Sequence, residues 1–185
     1  MTHETIELYR KGKEYIEQHG FVITAVVLDG KPGVRRVFGD IPVQMCHFHQ
    51  RQIINRYLTT KPKLLASKEL RKIVSTLTKT NETTFTNSLS GWYETWRDFL
   101  NEKTIHPETG RWYYTHKRVR SAYRSLRNNL PFLFTYEQYP HLHIPNTTNS
   151  LDGFFNRLES LLNVHRGMNR KRRRKIMIEI LKGKG

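Results

Sequence analysis

The sequence predicts an α/β protein, helix-rich overall, whose small strand-bearing core is interrupted by an all-helical insertion. Three stretches carry that expectation. Residues 1–61 alternate helix, strand, helix, strand, helix, which is the grammar of an α/β core. Residues 62–145 read as helical and form the insertion, and residues 146–185 supply one amphipathic core helix and one basic helix.

The elements follow in order. Residues 4–19 read as a helix, because Ile6, Tyr9, Tyr15 and Ile16 approximate one face and Gly20 is a natural stop. Residues 21–28 are nearly all apolar and rich in β-branched side chains, which suits a central strand covered on both faces. Asp29-Gly30-Lys31-Pro32-Gly33 is a turn. A short helix over 34–38, a second short strand over 42–46 and a helix over 47–57 complete the first segment. In the insertion, helical patterns run over 64–77, 85–100 and 112–126, and the spacing of Trp92 and Trp96 puts both on one face. The insertion is expected to have its own small core. Leu151, Phe154, Phe155, Leu158, Leu161 and Leu162 then lie at core spacing on a helix that Asn149 or Ser150 can cap, and a basic helix over about 171–181 closes the chain.

A chain of 185 residues is long enough to bury a real core, and three Trp, nine Tyr and nine Phe argue for packed structure over disorder. The net charge of +16 exceeds what solubility needs and implies a polyanionic partner. It is unevenly spread: residues 165–185 carry nine Lys and Arg against Glu179. A single cysteine excludes an internal disulfide framework and fits a reducing compartment. No apolar stretch reaches the roughly 20 residues needed to span a bilayer. The expectation is a soluble cytoplasmic protein with no membrane partner.

Two acids stand at informative places. Asp29 ends the apolar run and enters a Gly-containing turn, a position that suits a metal ligand fixed by a buried strand; a plain turn aspartate is the competing explanation. Asp152 begins the amphipathic helix, where an acid also favours the helix dipole. Glu159, two turns further on, is the alternative acid. Cys46, His47 and His49 invite a zinc reading, but zinc needs about four ligands and the remaining histidines show no fitting spacing. A buried Cys and His at the strand-to-helix junction is the expectation, without stoichiometric zinc.

Two basic patches suit phosphates. Six consecutive cations, Arg170, Lys171, Arg172, Arg173, Arg174 and Lys175, are flanked by Met168, Ile176, Met177 and Ile180 at helical spacing, which makes a docked helix with a basic face. The second patch combines Lys117, Arg118, Arg120, Arg124 and Arg127 with Tyr113, Tyr114 and Tyr123. It can hold backbone phosphates and stack on exposed bases, or it can be an aromatic core face with a basic exterior.

Together these motifs resemble bacterial insertion-sequence transposases of the Mutator-like group. The resemblance rests on Asp29 in Val-Leu-Asp-Gly-Lys-Pro-Gly, on Cys46-x-x-His49 with Gln44 before it and Gln50 after it, and on Asn146-Thr-Thr-Asn149-Ser-Leu-Asp152-Gly with His165-Arg166-Gly167. It implies a ribonuclease H-like core in which three acids hold two Mg²⁺ (or Mn²⁺) ions, with a helical insertion between the second and third. Asp29 matches the second acid, Asp152 the third, and Cys46 and His49 the signature between them; Asp29 and Asp152 are 123 residues apart. The third acid is Asp where Glu is usual, and the strand bearing the first acid would lie upstream of the opening helix. The resemblance therefore implies the carboxy-terminal part of a DDE-type transposase with a partial ribonuclease H-like core, from a truncated or split gene. By the same resemblance the partner is DNA, and the basic surfaces, with Lys117, Arg118, Arg120, His165, Arg166, Arg170, Arg172, Arg173 and Arg174, are expected to hold it. Homodimerisation or association with a full-length transposase, and a bacterial nucleoid-associated location, are further expectations. The rival is a non-catalytic DNA-binding remnant that regulates transposition.

Overall fold

The computed structural model describes residues 5–163 and 167–182, which divide into two compact units, Met1–Thr147 and Thr148–Gly185. Helix α1 (Ile6–Gln18) is capped by Thr5, whose side chain accepts a hydrogen bond from the Leu8 N–H, and His19 closes it before Gly20 turns the chain at φ 81°. Strand β1 (Val26–Leu28) follows, then a 3-10 turn (Val34–Val37), strand β2 (Val43–Met45) and α2 (His47–Leu58). β1 and β2 pair in parallel, with Val26 opposite Val43 and Leu28 opposite Met45.

The strand expected over residues 21–28 is therefore three residues long. Its partner is equally short, and Phe21 and Val22 are 67% and 85% exposed. Apolar composition marked the run, but hydrogen-bond partners set the strand's length. Among the described residues β1 pairs on one edge only. Beside it an open apolar groove of about 560 Å³ runs between the strand and α1, lined by Leu8, Tyr9, Ile16, Ile23, Ala25 and Val27.

Residues 62–145 form α3 (Leu65–Ser75), α4 (Glu82–Asn101), α5 (Lys117–Leu133) and the single turn α6 (Thr135–Gln138). They also form a two-stranded antiparallel hairpin, β3 (Lys103–Ile105) with β4 (Trp112–Tyr114), so the segment is not all-helical. The helix expected from Trp112 begins at Lys117 instead. Trp112, Tyr113 and Tyr114 are strand-favouring, and Gly110 at φ 64° supplies the turn that lets them fold back on Lys103.

The helices share one core with the strand region. Met45, Ile54 and Leu58 from β2 and α2 pack with Leu70, Phe85, Leu126 and Phe134. Trp92 donates its indole N–H to the Ala66 carbonyl (3.0 Å) and Trp96 donates to Glu69 Oε2 (2.7 Å), which ties one face of α4 to α3. A second cluster of Leu28, Val34, Phe38 and Val43 lies under β1, and Phe132 packs against both. The separate core expected of the insertion is thus continuous with α2. In the second unit, α7 (Asn149–Asn163) and α8 (Arg170–Lys182) pack on each other. No helix among the described residues is long and apolar enough to cross a membrane.

Candidate functional site

Asp29 leaves the carboxyl end of β1, and Gly30 turns the chain at φ 89° with Met45 directly beneath it. Only a residue without a side chain adopts that angle at no steric cost. The Asp29 carboxylate is exposed, and its Oδ1 accepts the Lys31 N–H at 3.0 Å, a local turn bond. It opens onto a solvent-accessible cavity of about 660 Å³ whose walls include Lys31, Arg56, Tyr57, Ser125 and Asn129.

A polar chain that the sequence did not reveal reaches the cavity through Ser125 and Asn129. Arg35 donates to Asn129 Oδ1 (2.6 Å), Asn129 donates to Gln50 Oε1 (2.6 Å), and Gln50 donates to Ser125 Oγ (3.3 Å). The Arg35 guanidinium also lies 4.0 Å from the Phe132 ring centroid, and burial lowers its pKa from the usual arginine value. These bonds join the 3-10 turn after β1 to α2 and α5, and so hold Ser125 and Asn129 in the cavity wall.

Cys46 is the N-cap residue of α2 and fully buried; its N–H donates to the Leu28 carbonyl (2.8 Å). The next N–H, of His47, donates to the Asn146 carbonyl (2.9 Å). His47 Nε2 meets the Leu133 carbonyl at 2.5 Å, and Gln44 Nε2 donates to the same oxygen at 2.7 Å. Gln44 Oε1 in turn accepts the Tyr136 N–H, and Thr135 Oγ1 donates to the Val43 carbonyl. The β2–α2 junction therefore caps the end of α5. His49 lies one turn into α2, its Nδ1 buried without a hydrogen-bond partner. Among the described residues no three His, Cys, Asp or Glu converge as a metal-ligand group.

The basic residues divide by what they touch. Arg118 donates to the Arg56 and Tyr57 carbonyls at the end of α2, both at 2.8 Å. Arg120 donates to the Leu100 carbonyl (3.2 Å) and to Asn101 Oδ1 (2.8 Å) at the end of α4, and its guanidinium covers the Tyr114 ring at 3.8 Å. Lys117 Nζ lies 4.0 Å from the Tyr113 centroid. Tyr123 stacks on Tyr93 at 4.7 Å and belongs to the core margin. Arg124 and Arg127 are exposed along α5.

In the second unit, Asn169 caps α8 by accepting the Arg172 N–H at 2.9 Å. Arg172, Arg173 and Arg174 are exposed, and Lys171, Arg173, Arg174 and Met177 line an open concavity of about 670 Å³. Asp152 lies within α7, as does the exposed Glu159. The Asp152 and Arg170 side chains, and His165 and Arg166 entirely, lie outside the described residues.

No protein-family model, curated protein or solved structure matches the chain. What fold and site define is a class: a basic, helix-rich α/β protein with an acid at the end of a parallel strand and a polar cavity beside it.

Proposed function

We propose that this chain carries part of the ribonuclease H-like catalytic core of a DDE-type DNA transposase, and that it binds DNA through its basic surfaces. The observation that carries the reading is the place of Asp29. It ends a strand of a parallel pair, where open α/β sheets bind ligands, and it faces a polar cavity flanked by Lys31 and Arg56. Lys31 and Arg56 supply the charge to draw a phosphodiester to that rim.

The residues present fit a divalent ion in part. The Asp29 carboxylate is an exposed hard oxygen ligand, but Lys31 and Arg56 offset its charge, so the cavity needs further acids to hold two ions. The reading requires at least two further carboxylates, and the family resemblance names Asp152 as one of them. When bound, a Mg²⁺ or Mn²⁺ pair would activate the attacking water or 3′-hydroxyl and stabilise the leaving oxygen. Among the described residues one edge of β1 pairs with no strand, and that edge with the groove beside it supports a position for another strand, one that ends in the remaining acid.

The isolated chain is accordingly expected to bind DNA without cutting it. Gel-shift and nicking assays with Mg²⁺ or Mn²⁺, on the chain and on Asp29→Ala, test this. Metal-dependent nicking lost in Asp29→Ala would show that the chain completes its own site. Restored cleavage after adding a segment that pairs beside β1 and ends in Asp would support the full reading. The second reading, a DNA-binding regulator without catalysis, is favoured by the bond between Asp29 Oδ1 and the Lys31 N–H, which a simple turn aspartate would also make. It predicts no Mn²⁺ binding that depends on Asp29.

A further inference from the structure

Among the described residues, the β3–β4 hairpin leaves one apolar pair, Ile105 and Trp112, exposed. Lys103 pairs with Tyr114, Thr104 with Tyr113 and Ile105 with Trp112. Side chains alternate across a ribbon, so Lys103, Ile105, Trp112 and Tyr114 share one face. The flanking bonds, His106 N–H to the Arg111 carbonyl and Thr115 N–H to the Glu102 carbonyl, make Ile105 and Trp112 a non-hydrogen-bonded pair, where opposing side chains come closest. Neither turns inward: Ile105 is 68% exposed and Trp112 56%, whereas Trp92 in the core is 5% exposed.

Cations surround this apolar pair. Lys103 Nζ lies 4.1 Å from the Trp112 centroid, and Arg120 covers Tyr114 on the same face. Arg111, next to Trp112, is exposed. An apolar protein partner would have to strip water from these charges without neutralising them, which is unfavourable. A polyanion whose bases offer flat π-faces satisfies both halves of the surface at once. Paired bases inside a duplex keep those faces covered by their neighbours, whereas an unpaired base exposes one.

We propose that the Ile105/Trp112 face is a stacking platform for an unpaired nucleobase in single-stranded or locally melted DNA, with Lys103 and Arg111 holding the adjoining phosphates. The proposal rests on the reading of the chain as a DNA-binding protein and adds a preference for unpaired bases to it.

The test uses the full chain with three labelled oligonucleotides: a single strand, a perfect duplex, and a duplex carrying a 2-aminopurine in a one-base bulge. The unaltered protein should quench the 2-aminopurine. Trp112→Ala should abolish that quenching and weaken single-strand binding by roughly tenfold, the loss expected for one stacked base, while duplex affinity changes by less than about twofold. Trp112→Phe should keep most of the binding. Exposure of the side chain makes Trp112→Ala a tolerated change, which circular dichroism checks, and Ile105→Ser provides a second variant expected to act in the same direction. Unchanged single-strand binding and quenching in Trp112→Ala, with duplex binding intact, would overturn the platform alone. Loss of self-association in Trp112→Ala without any effect on DNA would reassign the face to an interface between copies and overturn it too. Failure of the unaltered protein to bind any of the three would sink the DNA reading itself.

Discussion

The Leu133 carbonyl receives two buried donors, and one of them sets a pH dependence. For His47 Nε2 to donate, the ring must carry a proton there, and burial with no partner at Nδ1 disfavours a second one, so the neutral ring is favoured. Burial lowers its pKa, against smaller opposing effects of the Leu133 bond and of Glu137. The unfolded chain takes up this proton near the ordinary histidine value of about 6.5, and the folded protein resists it until lower pH. The stability contributed by neutral His47 is therefore complete above that value and declines as pH falls. Urea unfolding at about pH 7.5 and at about pH 5.5 should show a loss that His47→Gln makes smaller. Gly30 gives a second prediction. An added Cβ would meet the flexible end of Met45, which can move, but φ 89° remains strained for any L-residue. Gly30→Ala should lower stability by about 1–2 kcal/mol in the same experiment.

At the scale of elements, α5 closes the ends of its neighbours. Arg118 satisfies two carbonyls that α2 leaves open, and Arg120 satisfies one at the end of α4. Arg118→Ala should destabilise the fold by about 1 kcal/mol, the net worth of charged hydrogen bonds discounted for exposure, and should shift the unfolding midpoint more than DNA affinity. These bonds also explain what could be read in advance. Helices α1 to α4 were legible because their apolar spacing and stop signals are local. Asp29 was legible as a strand-end acid because an apolar run meets Asp-Gly. The hairpin was not, since Trp112 to Tyr114 adjoin a helix of matching apolar spacing. Nor was the burial of Gln44, whose partners Leu133 and Tyr136 stand 89 and 92 residues away. The number of cations near Arg118 was plain in the sequence; that two of them turn back onto helix ends depended on where α2 and α4 stop.

For the whole molecule, a net charge of +16 makes affinity for DNA a function of salt. Arg172, Arg173 and Arg174 stand near the amino end of α8, where the helix dipole disfavours cations, and a phosphate would relieve both effects. Changing all three to Ala should reduce the slope of log affinity against log salt by roughly two to three, about 0.9 for each phosphate no longer neutralised. An unchanged slope would move the main DNA surface to residues 117–127. The same molecule also has a defined order of assembly. Gln44, His47 and the carbonyls of Arg56 and Tyr57 are satisfied by α5 and the turn after it, which are synthesised 61 to 92 residues later. Pairings so distant in sequence slow folding, because the chain must close a long loop before any of them forms. On a translating ribosome the β1–β2 pair and α2 emerge before the helix that covers them. A nascent chain stopped before Lys117 should therefore remain open to protease, and protection of its first half should appear only once α5 has been made.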